Sequence, residues 1–237
     1  MNRNIRKSSP MITFDMKTAI FTYIFINYLY SLVIGFTWYQ NRRQNWGIEG
    51  FLADFLLKSI GMTLACLRST LPPILSVVFA NLLMFSGTLF LFFGMARFLK
   101  VRIPRPPFYL YTILFTALYA YFTLIHPDIR IRIVLFSGML TPVVAAMSWL
   151  VFAVADPAHR KYATHAGITF GLFALVFMMR CVCALTGDPI SNYFNQPITD
   201  SLLTLVCQIL SVDLAYALLL MIHHKLADGS MGQTDPF

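Results

Sequence analysis

The chain reads as an all-α membrane protein, a bundle of seven transmembrane helices. Three observations predict this. Charged residues make up 12% of the 237 and apolar residues 58%, whereas about 25% of an average soluble domain is charged. Mean hydropathy is +0.68, which excludes a disordered chain and an ordinary soluble enzyme. The apolar residues gather into seven runs, each near the ~20 residues that a helix needs to cross the hydrocarbon core. Four cysteines are too few for a small disulfide-stapled scaffold. A net charge of +8 in so apolar a chain is not a nucleic-acid signal, because Lys and Arg of polytopic proteins collect in cytoplasmic loops. The expected partner is the lipid bilayer.

In order, the expected spans are Thr18–Tyr39, Ile48–Leu67, Pro72–Phe98, Phe108–Ile125, Ile131–Ala155, Tyr162–Thr186 and Thr199–Ile222. The polar run Gln40–Asn45 ends the first. Leu71-Pro72-Pro73 makes the turn into the third, since proline opens a helix where its missing N–H is not needed. Pro104-Arg105-Pro106-Pro107, His126-Pro127-Asp128 and Asp156-Pro157 are further stops. The longest break, Gly187–Ile198, carries Gly187, Pro189 and Pro197. The chain thus divides into an N-terminal tail (1–17), a seven-helix domain (18–222) and a polar C-terminal segment (223–237).

Arg42, Arg43, Arg97, Lys100, Arg102, Arg105, Arg160, Lys161 and Lys225 fall on one side of this topology. Arg68, Arg130 and Arg132 fall on the other, with Arg180 near it. The richer side is expected to be cytoplasmic, which puts the N-terminus outside and the C-terminus inside. Arg3, Arg6, Lys7 and Lys17 then lie on the outer side against the trend. Either the basic tail crosses regardless, or synthesis starts at Met11 or Met16.

Phosphate loops, zinc-protease motifs and nucleophile elbows are missing from the sequence. Cys181 and Cys183 are two apart and point about 200° from each other on a helix, so one metal cannot easily use both. No cofactor or metal is read. The cysteines read as small apolar packing residues, with a thiol-based redox or soft-metal sensor as the alternative. The histidines read as loop or interfacial residues.

Ionisable residues within spans carry more information, because each costs at least ~2.5–3.5 kcal/mol to insert. Asp54 and Lys58 stand at i and i+4 on one helix face, and Asp213 lies mid-span. By helix rise Lys58 and Asp213 reach matching depths. Lys58 is therefore expected to be held inside the bundle by Asp54, by Asp213, or by both, as one charge cluster. That cluster serves either helix packing or ion transport. Arg68, Arg97 and Arg180 lie at helix ends, where they can snorkel to the interface. Asn81, Gly87 and Gly94 punctuate the bulky third segment, the glycines on one face where a neighbouring backbone can approach. Pro142 is expected to kink the fifth.

The runs Trp46-Gly47, Gly61-Met62-Thr63-Leu64, Leu67-Arg68, Ala80-Asn81-Leu82-Leu83 and Gly94-Met95-Ala96-Arg97-Phe98 resemble a known family. Arg130–Ser137 and Leu218–Ile222 are similar to it too. The family is the seven-helix membrane sensor region at the N-terminus of bacterial GGDEF-domain proteins, the diguanylate cyclases. Asn81, Arg97 and Phe98 are the most distinctive points. Thr234-Asp235-Pro236-Phe237 resembles the opening of a GGDEF domain, so the chain is expected to stop where the catalytic half begins. The Gly-Gly-Asp/Glu-Glu-Phe signature does not occur in it, and the chain itself is not expected to be an enzyme. The resemblance implies a sensor in the bacterial inner membrane that binds an unknown small signal. It also implies a homodimer, because the cyclase joins two GTP molecules held by two domains. Asn81, Arg97, Arg68 and Arg180 are the candidate packing or signalling residues. Gly229 and Gly232 weaken a continuous helix into the output. A small transporter or channel using Asp54, Lys58 and Asp213, and a sensor for a histidine kinase, remain the other readings.

Overall fold

The computed structural model describes residues 16–42, 47–154, 160–186 and 198–231. The tail arginines Arg3 and Arg6, Trp46 and the Thr234–Phe237 run lie outside these. Among the described residues there are seven helices long and apolar enough to cross a membrane, and no strand. They are α1 (Met16–Asn41), α2 (Ile48–Cys66), α3 (Ala80–Phe98), α4 (Pro106–Leu124), α5 (Ile129–Val154), α6 (Arg160–Thr186) and α7 (Ile198–Met231). The chain is a multi-pass membrane protein. Its outer surface carries Leu32, Leu110 and Trp149 about 70% exposed, an apolar belt that water would not tolerate and lipid does.

One end of the bundle, termed distal, holds the α2–α3 and α4–α5 turns. The proximal end holds the α3–α4 turn and the exit of α7. Neighbouring helices are fixed by specific contacts. Tyr30 of α1 packs on Phe55 of α2 with ring centroids 5.7 Å apart. Phe85 of α3 stacks on Phe115 of α4 at 4.1 Å. The Tyr111 hydroxyl of α4 donates to the Met139 carbonyl of α5 at 2.6 Å, and Ser148 Oγ of α5 donates to the Gly167 carbonyl of α6 at 2.7 Å. Tyr23 of α1 and Ser211 of α7 share a hydrogen bond of 3.2 Å, so the first and last helices meet.

α2 and α3 approach each other backbone to backbone. A Cβ added to Gly50 would lie 2.4 Å from the Phe90 carbonyl oxygen and 2.7 Å from Gly94 Cα. Gly47 opens α2 at φ +86, a left-handed conformation that glycine adopts at no steric cost. Further along α3, Gly87 faces the backbone of Asp54. Both glycines expected to share a face, Gly87 and Gly94, therefore lie against α2.

Two differences from the sequence expectation concern helix ends and irregularities, one in the third span and one in α7. The third span opens not as an α-helix at Pro72 but as a π turn over Ile74–Phe79. Its Ala80 N–H reaches back to the Leu75 carbonyl, and Asn81 Nδ2 donates to the Val77 carbonyl at 2.7 Å. Between them, α5 holds Pro142, the residue expected to kink it, inside a helix that continues on both sides. The ring of a helical proline crowds the carbonyl four residues earlier, and that residue is Gly138, which has no side chain to add to the crowding. α7 continues past Ile222 and through Gly229 to Met231. Hydropathy marks where the membrane ends and not where the helix does.

Candidate central cavity

Residues of all seven helices line a partly open cavity of about 120 Å³. Lys58 of α2 enters its wall because of its partner one turn away. Lys58 Nζ donates to Asp54 Oδ2 at 2.8 Å. Asp54 is fully buried and Lys58 is 17% exposed. The absence of a side chain at Gly87 makes room for this carboxylate: a Cβ there would lie 3.3 Å from Asp54 Oδ1. Burying an ion pair is costly unless its geometry is good, and here the i, i+4 spacing on one helix supplies that geometry.

Asn81 and Thr88 of α3, Arg132 of α5, Arg180 of α6 and Gln208 of α7 add polar groups to the wall. Arg132 Nε donates to the Asp128 carbonyl at 3.2 Å. A smaller pocket of about 30 Å³ adjoins the cavity, shares Asn81 and Arg132 with it, and adds Arg68. Arg68 lines that smaller pocket and Arg180 lines the cavity. Both are half-buried, and Nε of Arg68 is buried. Arg97 behaves as expected of a helix-end residue: it is exposed at the proximal end and pairs with Glu49. Such exposed pairs contribute little, about 0–1 kcal/mol. Arg97→Ala is expected to shift stability by less than about 1 kcal/mol, read as the thermal midpoint in detergent. A loss of several kcal/mol would contradict the surface assignment.

No protein-family model, curated protein or solved structure matches the chain.

The residues expected as one charge cluster stand as two groups. Asp213 lies with α6: His165 Nε2 is 2.9 Å from its Oδ1, and Thr169 Oγ1 donates to its Oδ2 at 2.5 Å. Both members of the His165–Asp213 pair are a little over a third exposed, and the His165 ring meets Tyr216 edge-on. Equal depth does not bring Asp213 to Lys58, because Asp213 is turned toward α6. The sequence reading missed His165 and Thr169. Their i, i+4 spacing, the same as that of Asp54 and Lys58, was the available signal. The cysteines are free thiols, half-buried, and Cys207 lines the cavity. Cys181 Sγ lies 3.6 Å from the Val134 carbonyl oxygen. What the cavity offers chemically is a few hydrogen-bonding side chains among mostly apolar ones, the build of a binding site.

Proposed function

We propose that this chain is the signal-input module of a membrane signalling protein. A small signal enters the central cavity, changes how α7 sits in the bundle, and α7 carries that change to a cytoplasmic output domain. One observation carries the reading. α7 forms part of the cavity wall through Thr204, Gln208, Ser211 and Leu214, and the same helix runs on without a break to Met231. A ligand that contacts Gln208 or Ser211 differently in two positions of α7 shifts the balance between them by its difference in affinity.

The output favoured by the resemblance is a GGDEF diguanylate cyclase, which places the module in cyclic-di-GMP signalling at a bacterial inner membrane. The N-terminus then lies outside and α7 ends in the cytoplasm. Two copies work together in this scheme. The half-exposed His165–Asp213 pair supports that arrangement, since ionisable groups at such depth face protein or water-filled space.

The test is a fusion of the chain to a cytoplasmic GGDEF domain, with cyclic-di-GMP measured in cells. Gln208→Leu and Thr88→Val are expected to change output about fivefold or more at unchanged abundance, the scale of ordinary coupling between sites. Output indifferent to both changes would defeat the input reading. The Asp54–Lys58 pair beside the cavity favours transport as the second reading. Proton or ion flux into proteoliposomes that Lys58→Met abolishes would establish it instead.

A further inference from the structure

The proximal end of the bundle carries a basic turn that has no part in the central cavity. α3 ends at Phe98. The Val101 N–H reaches back to the Ala96 carbonyl at 2.8 Å, and the Lys100 N–H to the Arg97 carbonyl at 3.0 Å. Such a helix end turns through a left-handed residue, a place that usually falls to glycine. Here the residue is Lys100, at φ +60, a conformation uncommon for any side chain beyond glycine. Lys100, Arg102 and Arg105 line one pocket of about 660 Å³. All three are exposed, and none forms an ion pair among the described residues. Arg97 lines the same pocket with its charge met by Glu49. The turn therefore holds three positive charges in excess.

A groove of about 590 Å³ leads away from the turn. It shares Phe93, Arg97 and Arg105 with the basic pocket, so the two are continuous. α3 is its floor, from Arg97 back to Ser86. Ala53 of α2 and Thr112 of α4 stand on its two sides. Phe90, Tyr109 and Ile113 line it half or more exposed. From Arg97 to Ser86 a helix rises about 16 Å, roughly half of the ~30 Å hydrocarbon core. The cations lie in the connection between two spans, at the level of lipid headgroups, and the groove runs from them through one leaflet.

We infer that this face binds one phospholipid of net negative charge from the proximal leaflet. Its phosphate lies against Lys100, Arg102 and Arg105, and an acyl chain lies in the groove between α2 and α4. A small soluble anion would answer the charge and leave the groove open. A zwitterionic lipid would fill the groove but bring a cation of its own to a turn that already has three in excess. Basic pockets between membrane helices suit anionic headgroups for this reason. The inference concerns a surface apart from the central cavity and does not depend on what output the chain serves.

The experiment uses the full chain in a neutral detergent and follows its thermal midpoint. The probes are long-chain phosphatidylglycerol, long-chain phosphatidylcholine, glycerol phosphate and poly-glutamate. Phosphatidylglycerol is expected to raise the midpoint at concentrations where phosphatidylcholine and glycerol phosphate do not. Lys100→Gly removes a charge at a position whose backbone suits glycine, so its midpoint without lipid should equal or exceed the parent's while its response to phosphatidylglycerol weakens. Adding Arg102→Gln and Arg105→Gln should weaken the apparent affinity about tenfold or more, since each basic residue near an anionic surface contributes about 1 kcal/mol. Ala53→Phe, which narrows the groove and leaves every cation in place, should also weaken the response. Equal stabilisation by phosphatidylcholine would overturn the inference, as would an undiminished response in the triple variant. An undiminished response in Ala53→Phe would overturn it too, because generic attraction to an anionic micelle would then suffice. Stabilisation by glycerol phosphate alone would point to a soluble phosphate, and by poly-glutamate alone to an acidic protein partner, and either would overturn it.

Discussion

Replacing Asp54 by alanine is expected to remove most of the protein from the membrane fraction. Asp54 is fully buried and its Oδ2 lies 2.8 Å from Lys58 Nζ. Taking away one partner of a buried pair leaves the other charged and desolvated, a loss of about 3–5 kcal/mol. Folded proteins hold only about 5–15 kcal/mol in reserve, so a loss of that size is visible as abundance. Asp54→Ala combined with Lys58→Met removes both charges together. The pair of changes is expected to recover most of the lost protein, because an apolar replacement of a whole buried pair is often neutral or better. Asp213→Ala lacks this effect on Lys58, since Asp213 bonds His165 and Thr169. Abundance and thermal midpoint in detergent are the measurements. An Asp54→Ala protein as abundant as its parent, or a double variant no better than the single, would show that the ion pair does not hold the bundle together.

The contrast between Asp54 and Asp213 explains which parts of the site the sequence could disclose. A residue in a membrane helix has a depth and a direction around the helix axis. Depth follows from counting residues at a known rise. Direction can be counted only within one helix, where residues four apart share a face. Asp54 and Lys58 are on one helix, so their pairing was legible. Lys58 and Asp213 are on different helices, and their equal depth left direction open. The rotation of α7 against α6 decides it, and that rotation depends on packing along the whole contact. The same reason left open that Arg68 and Arg180 line pockets between helices. Both stand near helix ends, where a long side chain can reach the interface or turn inside with equal ease of reach.

The spans themselves were legible because the signal is coarse. A run of about 20 apolar residues tolerates an error of several positions and still identifies a helix. Breaks such as Pro104–Pro107 and His126-Pro127 placed the ends of α3, α4 and α5 within a few residues. What hydropathy could not show was the helix beyond the bilayer. His223, His224 and Lys225 end the apolar run but have no reason to end the helix, and Lys225 Nζ reaches back to the Phe98 carbonyl at 2.8 Å. That bond ties the proximal part of α7 to the end of α3. α7 itself is one continuous helix from the cavity wall to its exit from the bundle. The π turn at Ile74–Phe79 was likewise invisible, because its wide hydrogen bonding leaves no periodic trace in so short a stretch.

Gly50→Leu is expected to prevent α2 and α3 from packing, with a larger effect than most single changes on the bundle surface. The backbones of the two helices touch where Gly50 meets Gly94, and the Phe90 carbonyl oxygen would lie 2.4 Å from an added Cβ. That neighbour is backbone, so it cannot turn aside as a side chain can. Even Gly50→Ala must push α3 away, an overpacking loss of about 1–3 kcal/mol. Pushing α3 outward also moves Gly87 from Asp54, so the ion pair and the cavity wall shift with it. Gly35 of α1 provides the internal comparison. A Cβ there would sit 3.4 Å from Leu52 Cδ1, an ordinary contact with a flexible side chain. Gly35→Ala is therefore expected to be neutral or to stabilise by up to about 1 kcal/mol, since alanine is the better helix former. Thermal midpoints of the three variants in detergent should fall in the order Gly35→Ala, Gly50→Ala, Gly50→Leu, with the last low enough to abolish recovery. Equal midpoints for Gly35→Ala and Gly50→Ala would mean that α2 and α3 do not meet through their backbones.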